Sequence, residues 1–267
     1  MASYVHGYSE REAKRLEDQS NTLDEILHND SIWEPGNVIL EAGCGTGAQT
    51  KIIALKNPLC KFVSIDISEE SINKAREAAL LLGISNVEFR QADIFKLPYE
   101  DGIFDHIFIC FVIEHLPDYK AAIAELKRVL KLNGTITIVE GDHGSAYFSP
   151  ESLDAYLAIQ CQVELQRRNG GDANIGRKLY PILKEAGFDC IRNSPRMVYA
   201  DESNPDLVEG FTRNTFTAMI EGIRKEAISE NLIDAATFNK GISDLYKTAG
   251  TGGVFCYTFF KATGIKK

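Results

Sequence analysis

The chain has 267 residues, 44% hydrophobic and 25% charged, with a formal net charge of -9. That length holds one large domain with a good core, or a core with a modest cap. The acidic balance excludes an extended nucleic-acid footprint, which needs clustered Lys and Arg, and suits a neutral or cationic ligand.

Ser9 and Glu12 form a capping box ahead of a first helix, whose Ala13, Leu16, Leu23, Ile26 and Leu27 share one face. From residue 37, short apolar runs alternate with helical patterns. The runs are 37–41, 61–65, 87–90, 104–110 and 135–140; helices are expected near 47–56, 69–82 and 119–131. This rhythm predicts an α/β fold with a mainly parallel sheet covered on both faces. Residues 151–168 and 174–187 read as helices, with a strand within 188–199. Residues 205–228 and 234–247 carry helical spacing, and 252–262 is a strand. About fifty residues, 201–250, are thus inserted between the last two strands and read as a helical cap, to which 1–30 adds.

The opening residues lack a charged n-region and an apolar h-region, so no secretory leader is expected. No run of about 18 apolar residues predicts a membrane span. The six cysteines lie far apart without a C-x-x-C pair and read as reduced, mostly buried thiols. A cytoplasmic protein without a metal site is expected.

Residues 37–50, NVILEAGCGTGAQT, carry the first chemistry. Glycines 43, 45 and 47 allow a sharp turn that brings backbone N–H groups close to a ligand. Gly43, Gly45 and Ala48 also satisfy the dinucleotide spacing G-x-G-x-x-G/A, so an NAD(P)-dependent oxidoreductase is the competing reading. Asp66, in VSIDIS, suits a ribose diol under either reading. Asp93, in FRQADIF, stands where it would accept from an adenine amino group. Glu41, Asp66 and Asp93 would place three carboxylates at the carboxyl ends of adjacent strands, where open α/β sheets bind ligands. A pyrophosphate would be repelled there; a ligand with a sulfonium and an ammonium would be attracted. The dinucleotide reading is weakened further because no Y-x-x-x-K stands between the fourth and fifth runs.

Together VILEAGCGTG, VSIDIS, RQADIFKLPYEDGIFDHIFICFVIEHL and LKRVLKLNGTITIVE resemble the class I S-adenosylmethionine-dependent methyltransferases, in the small-molecule branch with the ubiquinone and menaquinone enzymes. The resemblance covers roughly 37–140, and GGDANIGRKLYPILKEAGF extends it more loosely. It implies a Rossmann-like, doubly wound sheet of seven strands whose last, 252–262, runs antiparallel, within a single methyltransferase domain. It implies S-adenosyl-L-methionine as cofactor. Glu41 and Gly43 to Gly47 would cradle its methionine part, and Asp66 would bind the ribose, with Ile67 packing on the adenine. Asp93 and Ile94 would meet the adenine edge, and Cys110 and Phe111 would line the methionine end. A small-molecule acceptor is expected, without nucleic acid. A cofactor-binding sensor without catalysis is the remaining alternative.

Past the fifth strand, EGDHGSAYF reads as a loop at the open edge of the sheet. There Glu140, His143 and Tyr147 are substrate candidates, and His143 is the one candidate base. Tyr8, in the N-terminal extension, and Arg177, in IGRKL, are further substrate candidates. His115, in IEHL, reads as a residue satisfying local hydrogen bonds.

Overall fold

A computed structural model of the chain describes residues 10–267. Ser9 and Tyr8 lie outside the described residues. The first helix, α1, spans Glu10–His28, and seven strands, nine further α-helices, two 3-10 turns and one π-helix follow it among the described residues. The end of α1 and the turn after it are tied to the sheet. Lys261 Nζ donates to Asp30, Ser31 and the Leu27 carbonyl at 2.6, 2.8 and 3.1 Å. Ser20 Oγ donates to the Ala48 carbonyl at 2.7 Å, which fixes α1 over the glycine-rich turn.

The strands are β1 (Val38–Ala42), β2 (Lys61–Asp66), β3 (Val87–Gln91), β4 (Phe104–Cys110), β5 (Leu130–Ser149), β6 (Phe188–Ala200) and β7 (Val254–Lys266). They form one sheet of order β3-β2-β1-β4-β5-β7-β6. β1 pairs in parallel with β2 and β4, β3 with β2, and β5 with β4. β7 is antiparallel to both β5 and β6. The sheet is therefore doubly wound with an antiparallel last strand.

Near-continuous apolar strands arise because both faces are covered. Ile39, Phe62, Phe108, Cys110 and Val139 pack toward α1, α2 (Thr50–Lys56) and α5 (Leu153–Arg168). On the other face Leu40, Ile65, Ile107, Ile109, Ile136 and Ile138 meet α4 (Tyr119–Val129) and α6 (Leu179–Glu185). Helix α3 (Glu69–Leu81) is capped by Ser68, whose side chain accepts from Ser71 N.

Two expectations need correction. Residues 140–149 are strand, not loop. β7 supplies a long antiparallel partner, so β5 continues past Val139, pairing Glu140 with Phe260 and Tyr147 with Cys256 across a register break after Asp142. Residues 205–228 are not one helix. α7 (Pro205–Leu207) runs through a π-helix, Val208–Thr217, into α8 (Ala218–Gly222), and α9 (Arg224–Ser229) follows a break at Ile223. The wider π turn sets Phe211 and Phe216 on the aromatic row of β7. Phe216 lies 4.7 Å from Phe255 and 5.4 Å from Tyr257 between ring centroids, and Phe211 lies 5.7 Å from Phe259. Thr215 Oγ1 donates to the Gly210 carbonyl five residues back, at 2.7 Å.

This inserted segment shares its buried core with the sheet: Leu207, Phe211, Phe216, Ile220, Phe238 and Leu245 join the same apolar cluster as Phe108 and Val139. Helix α10 (Ala235–Lys247) closes on α5, where a Cβ on Gly241 would press into the Asp154 carbonyl oxygen. Gly222, at the end of α8, faces open space. Gly241→Ala is expected to lower the stability read from urea unfolding by about 1–3 kcal/mol, because backbone has to move. Gly222→Ala should be neutral or stabilising, by up to about 1 kcal/mol. Equal effects would mean that the α5–α10 seam is not closely packed.

Candidate active site

The strand order reverses between β1 and β4, which opens a crevice at their carboxyl ends. The turn after β1 fills one side of it. Gly43, Gly45 and Gly47 all have positive φ (77°, 52° and 83°), the left-handed region that glycine enters without strain. A Cβ on Gly43 would lie 2.5 Å from Val112 Cγ2, so the turn closes directly on the segment after β4. Gly45 differs: a Cβ there would meet nothing within 4 Å, and its face of the turn is open to a ligand.

Asp66, at the end of β2, holds this turn. Its Oδ2 accepts from Gly45 N and its Oδ1 from Ser68 N, both at 2.9 Å. Each oxygen keeps a second lone pair, so the carboxylate can hold a diol while it shapes the loop. Ile67 beside it is 55% exposed, and Phe95 beyond β3 is 39% exposed. Asp93 is exposed and accepts from Phe95 N at 2.9 Å, and Ile94 is half-buried. Two large apolar side chains left in water, one beside Asp66 and one beyond β3, suit a flat, partly apolar ring.

Glu41 is not an open ligand of the crevice. It is buried, and its Oε2 accepts from Thr50 Oγ1 at 2.7 Å and Ser64 Oγ at 2.6 Å. Burial, opposed by these two hydroxyls, raises its pKa to about 7. Any action on a ligand is through the field behind the glycine turn, not by contact. Cys110 is buried as well, and burial pushes its thiol well above the usual range, so it is inert. Phe111 takes positive φ (59°) at the tip of β4, and its ring packs on Phe259 at 5.3 Å.

The substrate candidates divide. Glu140 is fully buried and its Oε1 accepts from Val112 N at 3.0 Å and Ile113 N at 2.8 Å. Through Oε1 it anchors the 3-10 turn Ile113–His115, and its Oε2 has no partner among the described residues. Burial and the neighbouring Glu114 carboxylate push its pKa well above the usual range. Arg177 is likewise committed: Nε and Nη2 grip the buried Asp142 carboxylate at 2.7 and 2.6 Å. Tyr147 is 51% exposed and faces away from Phe148, which lies in the aromatic row; its hydroxyl meets Met197 Sδ at 3.8 Å. Tyr8 lies outside the described residues.

His143 is buried on the same face of β5 as the aromatic row. Its Nδ1 lies 3.1 Å from the Ala173 carbonyl and 3.2 Å from the Tyr257 hydroxyl, and its Nε2 has no partner among the described residues. The same holds for the buried hydroxyls of Thr212 and Thr217 on the π-helix. Groups left so cost about 1–3 kcal/mol each. Sequence reasoning missed Tyr257, Glu114, Gln166 and the two threonines. Gln166 Nε2 donates to the Glu114 carbonyl at 3.0 Å and clamps the 3-10 turn. Only Tyr257 carried a signal: it is the one polar tip in the alternating Phe255, Tyr257, Phe259 row. His115, half-buried beside Glu114 Oε1 at 3.5 Å, does satisfy local bonds.

A family model described as a methyltransferase domain matches residues 34–187, more than half of the chain and every motif of the crevice. The chain belongs to the class I S-adenosylmethionine-dependent methyltransferases. The 27-O-demethylrifamycin SV methyltransferase of Amycolatopsis mediterranei is 29% identical to this methyltransferase, over 87% of this chain and 79% of its own length. The ubiquinone/menaquinone biosynthesis C-methyltransferase UbiE of Pseudomonas fluorescens is 35% identical over 45% of this chain and 48% of its own. The chain spans about half the length of several curated relatives it matches, 57% and 52% of two others. A crystal structure of a putative methyltransferase from Bacillus halodurans shares the fold, with a TM-score of 0.56 and 19% identity, covering 92% of this chain and 98% of that one. No helix among the described residues is long and apolar enough to cross a membrane, and no group of three or more His, Cys, Asp or Glu there is placed to hold a metal ion.

S-adenosylmethionine is the cofactor of this family, and the crevice fits it. Gly45 leaves room, Asp66 can take a diol, Ile67 and Phe95 flank a ring, and no lysine or arginine waits for a phosphate on the turn. The buried Glu41 gives the fit a titration. Its raised pKa means that its contribution to stability is present below pH 4.5 and lost as pH rises through about 7. Ionised Glu41 thus costs on the order of 3 kcal/mol above that pH. A cation over the turn lowers the cost, so binding of S-adenosylmethionine at pH 7 should release about half a proton. Calorimetry in buffers of different ionisation enthalpy reads this directly, and Glu41→Gln should abolish it. No release from the wild type would mean that the cation does not sense Glu41.

Proposed function

We propose that this chain transfers the methyl group of S-adenosylmethionine to a small organic acceptor, enclosed between the carboxyl edge of the sheet, α1 and the helices of 201–250. The observation that carries the reading is the buried acid behind the glycine turn. A pyrophosphate on the turn would face Asp66, with Glu41 buried behind, and be repelled, whereas a ligand with two positive centres gains. The names of the relatives, one for a rifamycin and one for quinones, support a small organic acceptor.

Bound S-adenosylmethionine supplies an electrophilic methyl group on a positively charged sulfur. The chain has to do the rest by placement. Asp66 holds the ribose hydroxyls, Ile67 and Phe95 enclose the adenine, and Asp93 accepts from its amino group. Glu41 balances charge from behind the turn. Phe111, held at positive φ against Phe259, lines the end where the methyl group is presented. The aromatic row of β7 and the π-helix exclude water and hold the acceptor in line, and in-line placement supplies much of the rate in such a displacement. The inserted helices act as the lid that chooses the acceptor.

Asp66→Ala should weaken S-adenosylmethionine binding by about 100-fold, the loss of two charge-assisted hydrogen bonds and of the grip on Gly45. Calorimetry of wild type and variant, beside NADH, tests this. Binding of NADH in preference would replace the methyltransferase reading with the dinucleotide one.

A further inference from the structure

The proton of the acceptor finds a receiver on the β5–β7 arm. Ala173 O accepts from His143 N at 3.0 Å and lies 3.1 Å from the ring Nδ1 of the same residue. A carbonyl oxygen only accepts, so Nδ1 carries the ring proton. That proton is shared with the Tyr257 hydroxyl oxygen at 3.2 Å. Tyr257 is itself fixed. A Cβ on Gly141 would lie 2.5 Å from its oxygen, so glycine is what lets the phenol pass. With Nδ1 engaged twice, Nε2 holds a lone pair. It is buried, without a partner among the described residues, and its ring lies 6.0 Å from that of Phe216 on the π-helix.

We infer that His143 Nε2 is the general base of the transfer, that the acceptor is a hydroxyl compound (an alcohol or a phenol), and that Tyr257 is a positioning residue that fixes the ring. The inference rests on the methyltransferase reading above. An alcohol or phenol is a poor nucleophile until its proton leaves, whereas a thiolate or a free amine needs no base for attack. In the step, the acceptor O–H bond breaks and the proton passes to Nε2. The oxygen pair forms the O–CH3 bond as the carbon–sulfur bond breaks, and its electron pair stays on sulfur. The charged ring then loses one proton to solvent after product leaves.

The surroundings suit both states of the ring. Burial keeps His143 neutral by pulling its pKa below the ordinary 6.5. The charged form, once made, donates from Nδ1 to two oxygens. Glu114 on the 3-10 turn and Asp142 on β5 favour it, the latter paired with Arg177 from the segment before α6; His115 opposes it. Tyr257 on β7 remains neutral, since burial pushes its phenol well above its usual range.

The test is tritiated-methyl transfer to a panel of phenols and secondary alcohols beside matched anilines and thiophenols, with S-adenosylmethionine affinity measured separately by calorimetry. Wild type should methylate hydroxyl members, with kcat level above pH 7 and falling below 6.5 as the ring gains its proton. His143→Gln should lose about 10²- to 10⁴-fold in kcat and the acid limb with it, at unchanged cofactor affinity. Tyr257→Phe should keep the limb but displace it and lower kcat less. Transfer confined to amines or thiols, no transfer to any hydroxyl by protein that binds the cofactor, or a His143→Gln variant with the wild-type profile would each overturn the inference. Failure of wild type to bind the cofactor would instead overturn the reading beneath it. Long-range ¹H–¹⁵N spectra of histidine-labelled wild type need no variant: the proton should be on Nδ1 of His143, and a proton on Nε2 overturns the assignment.

Discussion

The antiparallel pairing of β7 with β5 is the constraint on which the upper half of the molecule depends. The other five strands run parallel to β5 and supply the carboxyl edge and its crevice. β5 alone continues ten residues past Val139, and it does so because β7 pairs with it on both sides of the register break after Asp142. The same pairing sets Phe255, Tyr257 and Phe259 in a row, on which Phe211 and Phe216 dock. The inserted helices need no core of their own. They borrow one from the arm, and so are held over the crevice instead of swinging beside it.

Electrostatics then divides the edge into two parts. Below the glycine turn lies a buried acid that only a positive ligand relieves. Above β4 and β5 lies a dry region whose charges are largely paired or neutral: Arg177 with Asp142, Glu140 raised by burial, Tyr257 kept as the phenol. A cation at the first part and a neutral acceptor at the second match this division. The two meet near Phe111, where strained backbone and the Phe259 contact fix the tip of β4. Positive φ in a phenylalanine is rare enough to need such support.

The lower half of the fold was legible in the sequence because parallel strands, buried on both faces, write themselves as apolar runs between helical patterns. The glycine turn, Asp66 and Asp93 follow from spacing alone. Glu41 was legible as an acid in the right place but not as a buried one, since its partners Thr50 and Ser64 come from α2 and β2. Residues 140–149 misled for a similar reason. EGDHGSAYF is rich in turn-forming residues, and only the partner strand more than a hundred residues later makes it extended. Arg177 pointed to a free cation until the fold brought Asp142 to it. The π-helix left no local mark, because its geometry answers to the spacing of the aromatic row that it meets.

The central claim, that a cationic cofactor occupies the β1–β4 crevice with the acceptor space toward the β5–β7 arm, is tested most directly by a crystal structure grown with S-adenosylhomocysteine. The account predicts the ribose on Asp66, the adenine between Ile67 and Phe95, and the amino-acid end over Gly43 to Gly45, with the sulfur facing the Phe111–Phe259 contact. A ligand bound elsewhere, or one whose amino-acid end lies away from Glu41, would contradict it.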